Sequence, residues 1–115
     1  MAEAKYQELK NLITNAPITT GAKDLFGDAL DSAVELMDNY HEWVPLLDTE
    51  RYSDNNIRRI VEQLYIRAIW RGMLILAVEE MGVSPQNLNV FTQLLGGMRQ
   101  LEACYPELTF RVLRY

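Results

Sequence analysis

Residues 54 to 81 read DNNIRRIVEQLYIRAIWRGMLILAVEEM, a run without proline and with one glycine, Gly72. Its apolar residues recur at steps of three and four, the period of an α-helix. Ser53 is placed to cap the start, and Gly82 to close the end in a left-handed conformation. Ile57, Ile60, Val61, Leu64, Ala68 and Ile75 form one apolar stripe, and Ile66, Ile69, Trp70, Met73 and Ala77 form another on a different side. A helix apolar on two sides either lies centrally among neighbours or offers one side to another molecule. The central position is expected here. The alternative is a homodimer through Trp70 and Met73, because aromatic and methionine side chains suit interface cores.

Outward from this helix the same period continues in both directions. Towards the N-terminus, Tyr6, Leu9, Leu12, Ile13 and Ala16 predict a helix over 2–15, which NAPITTG at 15–21 interrupts with Pro17. Thr19 or Thr20 caps a second helix that keeps its period to Trp43 and Val44 and stops at Pro45. Towards the C-terminus, Ser84 with Pro85 opens a further helix bearing Leu88, Phe91, Leu94, Leu95, Met98 and Leu101. Gly96 and Gly97 lie in its middle and cost about 2 kcal/mol relative to alanine, so the helix either breaks there or receives a close neighbour. No G-x-G-x-x-G or Walker spacing surrounds the pair, so no phosphate loop is read from it. In the tail ELTFRVLRY, 107–115, Leu108, Phe110 and Val112 alternate with Thr109 and Arg111, as in an extended segment or a short last helix. The expectation is one all-α domain over 1–115, a compact bundle of four to five helices with 54–81 at its centre.

Composition restricts what this bundle does. About half the residues are apolar (49%) and about a quarter charged (23%), the balance of a folded chain. The longest apolar run, Gly72 to Val78, is far short of the roughly 20 residues a membrane-spanning helix needs. No secretory pattern opens the sequence, so a cytoplasmic location and no membrane partner are expected. The single Cys104 forms no internal disulfide and no thiolate zinc site, and its neighbours Leu101 and Tyr105 suggest a small core residue.

Catalytic groupings are equally scarce. Ser53 and Ser84 are accounted for as caps. His41 and Glu42 are consecutive on a helix and so diverge by about 100°. Glu79 and Glu80 lack a second converging group. Arg59, Arg67 and Arg71, with Gln63 among them, are expected to pair with Glu62 or Glu79 and to lay their stems over apolar neighbours. Balanced in that way they make a poor nucleic-acid footprint. Neither enzymatic activity nor a cofactor is expected.

One surface feature is asymmetric. In DLFGDALDSAVELMDNYHE, 24–42, carboxylates fall at Asp24, Asp28, Asp31, Glu35, Asp38 and Glu42. At about 100° per residue they share an arc of roughly 80°, with Leu25, Phe26, Ala29, Leu30, Ala33, Leu36, Met37, Tyr40 and Trp43 on the other side, centred nearly opposite. Acids on that outermost line are not expected to reach cations on neighbouring helices. Each like-charge pair at these spacings costs about 0.2–0.5 kcal/mol. The helix carries six of the sixteen acids but only Lys23 of the eleven bases, leaving ten of each elsewhere. Its charge therefore equals the formal −5 of the whole chain.

The simplest explanation is a solubilising face. The functional one is a row of carboxylates that imitates the phosphates of one nucleic-acid strand and occupies a groove built to grip them. The row would then bind a protein with a basic surface. It would not bind nucleic acid directly, because its sign is wrong. A calcium site is disfavoured, since one helix does not converge six to eight oxygens. The expected function is a non-enzymatic protein-binding protein, most concretely a small acidic decoy of the kind mobile elements such as phages direct at host nucleic-acid machinery. The alternative is a homo-oligomeric adaptor assembling through Ile66, Trp70, Met73, Phe110 and Tyr115.

Overall fold

The computed structural model describes residues 2–43 and 54–105, with every side chain in them except those of Ala2, Tyr40, His41, Asn55, Asn56, Arg58 and Arg59. In the described residues five helices follow one another: α1 (Ala2–Asn15), α2 (Thr20–Asp38), α3 (Tyr40–Trp43), α4 (Asn55–Met81) and α5 (Pro85–Glu102). Among the described residues there is no strand, and the chain is an all-α bundle.

Local chemistry sets most of these boundaries. Thr19 is extended, and its hydroxyl accepts from the Ala22 N–H at 3.2 Å, which begins α2. The Ser84 hydroxyl accepts from the Asn87 N–H at 3.0 Å ahead of Pro85, which begins α5. Gly82 closes α4 with φ +100° and donates its N–H to Val78 O at 2.8 Å. Asn87 then donates Nδ2 to Gly82 O at 3.0 Å, tying the α4–α5 turn together. At the start of α4 the capping oxygen belongs to Asp54, whose Oδ1 accepts from the Ile57 N–H at 3.4 Å. The cap therefore falls one residue after Ser53, which lies outside the described residues.

The second helix is shorter than its periodicity suggests. It ends at Asp38, where Asn39 donates its backbone N–H to Glu35 O at 2.9 Å and its Nδ2 to the same oxygen at 3.0 Å. The side-chain amide competes with the helical ladder and turns the chain. The four-residue α3 follows, held by the Trp43 indole donating to Leu36 O and by the Trp43 ring 5.4 Å from Tyr65 of α4.

The core is one apolar cluster that includes Leu9 and Ile13 of α1, Phe26, Leu30 and Met37 of α2, Ile66, Trp70 and Leu74 of α4, and Val90, Leu94 and Leu101 of α5. The helix packed against all the others is α2. At 27 residues α4 is the longest helix, and it is central only in a loose sense: it packs on α2 and α5, while one of its sides faces outward. Gly96 and Gly97 do not break α5. A Cβ on Gly97 would come within 2.6 Å of Leu9 Cδ2, so the glycine admits the α1 side chain.

Candidate functional site

Ile66 and Trp70 are 0% and 1% exposed, on the side of α4 that faces the core, so neither is available to a partner. Met73 is half-buried against the same cluster, and Phe110 and Tyr115 lie outside the described residues. The outward side is the other stripe. Ile57, Leu64 and Ile75 are 45%, 46% and 46% exposed, with Ala68 between them and Leu76 and Tyr65 at the margin. The reason is geometric: the two stripes diverge around the helix, and α2 and α5 cover only one of them. From Ile57 to Ile75 this face runs about 27 Å along α4.

Of the six acids, five lie on α2 and Glu42 lies on α3 beyond the Asn39 turn. All six are exposed. Two of them nevertheless meet other elements, and one, Asp31, meets a cation, contrary to the sequence expectation. Asp31 Oδ1 accepts from the Tyr6 hydroxyl at 2.7 Å, and Asp31 Oδ2 pairs with Lys10 Nζ at 3.3 Å. Asp38 Oδ1 accepts from the Tyr105 hydroxyl. At about 100° per residue Asp31 and Asp38 share one edge of the row, the edge within reach of long side chains from α1 and from the residues after α5. Asp24, Asp28, Glu35 and Glu42 engage no cation among the described residues. The one base of α2, Lys23, donates instead to Thr14 O at 2.6 Å, at the C-terminal end of α1.

These contacts raise the pKa of three side chains. The hydrogen bond to Asp31 raises the Tyr6 phenol, with burial adding to it. Burial raises Tyr105, and the bond to Asp38 reinforces it. For Lys10, burial acts downward but is outweighed by the bond and attraction to Asp31, so its pKa rises. Glu35 and Glu42 border a shallow cleft of ≈ 420 Å³ with Leu36, Trp43 and Ile69.

The arginines divide. Arg67 holds Glu102 of α5 with two donors, Nε at 3.0 Å and Nη2 at 2.8 Å, and that bond raises its pKa. The partner is neither Glu62 nor Glu79. In the sequence Glu102 is signalled only by its register: Leu94, Met98 and Glu102 step by four onto the buried side of α5. Gln63 Nε2 also donates to Glu102, at 3.4 Å, while Gln63 Oε1 has no partner among the described residues. Arg71 and Arg99 flank an open cleft of ≈ 270 Å³ floored by Leu64, Leu95 and Met98. The Arg59 side chain is outside the described set.

Cys104 is half-buried, not a core residue, and donates its thiol to Gln100 O at 3.4 Å. Among the described residues no group of three His, Cys, Asp or Glu side chains is arranged to hold a metal, and no helix is long and apolar enough to cross a membrane. No protein-family model, curated protein or solved structure matches this chain.

Proposed function

We propose that this chain is a non-enzymatic protein-binding protein whose principal binding face is the outer side of α4. The observation that carries the reading is the row of large apolar side chains, Ile57, Leu64, Ile75 and Leu76, exposed along one helix. Contiguous apolar surface of this kind loses free energy to water until another surface covers it, so it marks interaction sites. The uncharged centre of the row, with Arg71 and Glu79 at its margins, has the composition of an interface core within a polar rim.

A second reading has its own observation. Asp24, Asp28, Glu35 and Glu42 stay exposed and engage no cation among the described residues, on the helices that carry the net charge. This supports an acidic decoy for a protein that grips phosphates, with the row reduced from six to four free members. The adaptor and decoy readings differ in how they respond to salt. Partners captured through α4 should survive about 0.5 M salt, where the Debye length falls to a few Å, and be lost from a Leu64→Glu, Ile75→Glu variant. Partners captured through the acids should wash off in salt and be lost from an Asp24→Asn, Asp28→Asn, Glu35→Gln variant. Unchanged capture by the first variant would overturn the α4 reading.

A further inference from the structure

The outer face of α4 is self-complementary about its own midpoint. Ala68 lies at that midpoint, Leu64 lies four residues before it and Gly72 four residues after. A Cβ built on Gly72 meets nothing within 4 Å, so Gly72 is an open notch on the outside of the helix. Leu64, 46% exposed, is a knob of matching height one turn on the other side of Ala68. Val61 and Ile75 stand seven residues either side of the same point. Resting on the reading of α4 as a protein-binding face, we propose that its occupant is a second copy of this chain. The two α4 helices lie antiparallel across a two-fold axis at Ala68, with Leu64 of each copy seated in the Gly72 notch of the other.

This register satisfies more than the apolar seam. Small residues at the crossing let two helices approach to the close end of the usual 8–10 Å range. Val61 of one copy meets Ile75 of the other. Charge agrees in direction: α4 ends with Glu79 and Glu80, whereas near its start Arg58 and Arg59 are offset in the sequence by Asp54 and Glu62. Antiparallel packing keeps the two acidic ends apart, whereas parallel packing opposes like with like. Two-fold symmetry closes the contact on itself, so the product is a dimer and not a filament.

The experiment has two arms on the full chain. Sedimentation equilibrium at about 100 µM, enough to populate a micromolar dimer, should give twice the 13.3 kDa chain mass. Gly72→Leu fills the notch without touching the core and should weaken association by about tenfold or more with helical content unchanged. In a Cys104→Ser background, Ala68→Cys should form an intermolecular disulfide on mild oxidation. Ile75→Cys should not, because it lies about 21 Å from its own copy in this register. Equal crosslinking of both positions would replace the antiparallel register with a parallel one and overturn the proposal. A monomer at every concentration also overturns it. If that monomer still loses a captured protein on Leu64→Glu, the binding-face reading stands with a different occupant; if it loses nothing, both fail.

Discussion

Gly96 and Gly97 are adjacent on α5 and face opposite requirements. A Cβ on Gly96 would find open space, whereas one on Gly97 would press on Leu9 Cδ2 and Cδ1 at 2.6 and 3.0 Å. Gly96→Ala is therefore expected to stabilise the fold by about 0.5–1 kcal/mol through helix propensity. Gly97→Ala is expected to destabilise it by about 1–3 kcal/mol, because Leu9 is itself buried and has little room to move. Urea denaturation of the two variants measures this, and a gain from both would show that α1 does not rest on Gly97. From sequence the pair signals only a break or a close neighbour. Deciding between them needs the position of Leu9, almost ninety residues away in the chain.

Tyr105 makes a pH prediction at the same scale. Burial and the bond to Asp38 favour the protonated phenol in the folded state, so its folded pKa lies above the unfolded one. The associated stability is complete below the unfolded value, about 10, and is lost as pH rises from there through the folded value. Tyr105→Phe should thus be less stable than the parent at neutral pH and lose stability less steeply above about pH 10. Denaturant midpoints measured across that range test it, and parallel curves for the two proteins would remove the assignment.

At the scale of the element, α2 combines intrahelical repulsion with relief from its neighbours. Asp28 has Asp24 and Asp31 within one turn and engages no cation among the described residues, so Asp28→Asn should stabilise the protein by about 0.2–0.5 kcal/mol per relieved pair at low salt. Asp31 suffers similar repulsion but accepts from Tyr6 and Lys10, so Asp31→Asn should be neutral or destabilising by up to about 1 kcal/mol. Thermal melts at low and high salt distinguish the two, and identical shifts would mean that the α1 contacts add nothing. The difference is partly legible in the sequence, because Asp31 and Asp38 stand at one edge of the row. Nothing in the spacing says which helix lies along that edge.

The α4–α5 pairing carries a comparable test. The Glu102 side chain is 4% exposed and holds Arg67 with two short bonds. Glu102→Ala leaves the partly buried guanidinium of Arg67 without its acceptor and should cost about 2–3 kcal/mol, read as a lowered denaturation midpoint. A loss within about 0.5 kcal/mol would place the pair among surface contacts.

For the whole molecule, the two faces of interest lie on different helices. The apolar stripe of α4 and the acids of α2 both point away from the cluster between those helices. An α4 dimer would consequently leave both acid rows open, and the adaptor and decoy readings are compatible in one assembly. Coupling between them is testable: Gly72→Leu should change the oligomeric mass without altering any salt-sensitive partner, and a joint loss would show that the acid row works only in the dimer.

Helix positions follow from sequence alone because their determinants are local. Thr19, Ser84 with Pro85, and Gly82 act on backbone groups within a few residues, and the helical period of α1, α2 and α5 each marks one buried side. The turn at Asn39 is the exception, where one side-chain amide interrupts a period that continues to Trp43. Which side of α4 is buried was decided only in three dimensions. Its apolar residues are less segregated to one side than those of the other long helices, so periodicity alone gives no inward direction. Burial belongs to pairs of surfaces, and α2 and α5 cover Ile66 and Trp70 while leaving Ile57, Leu64 and Ile75 in water.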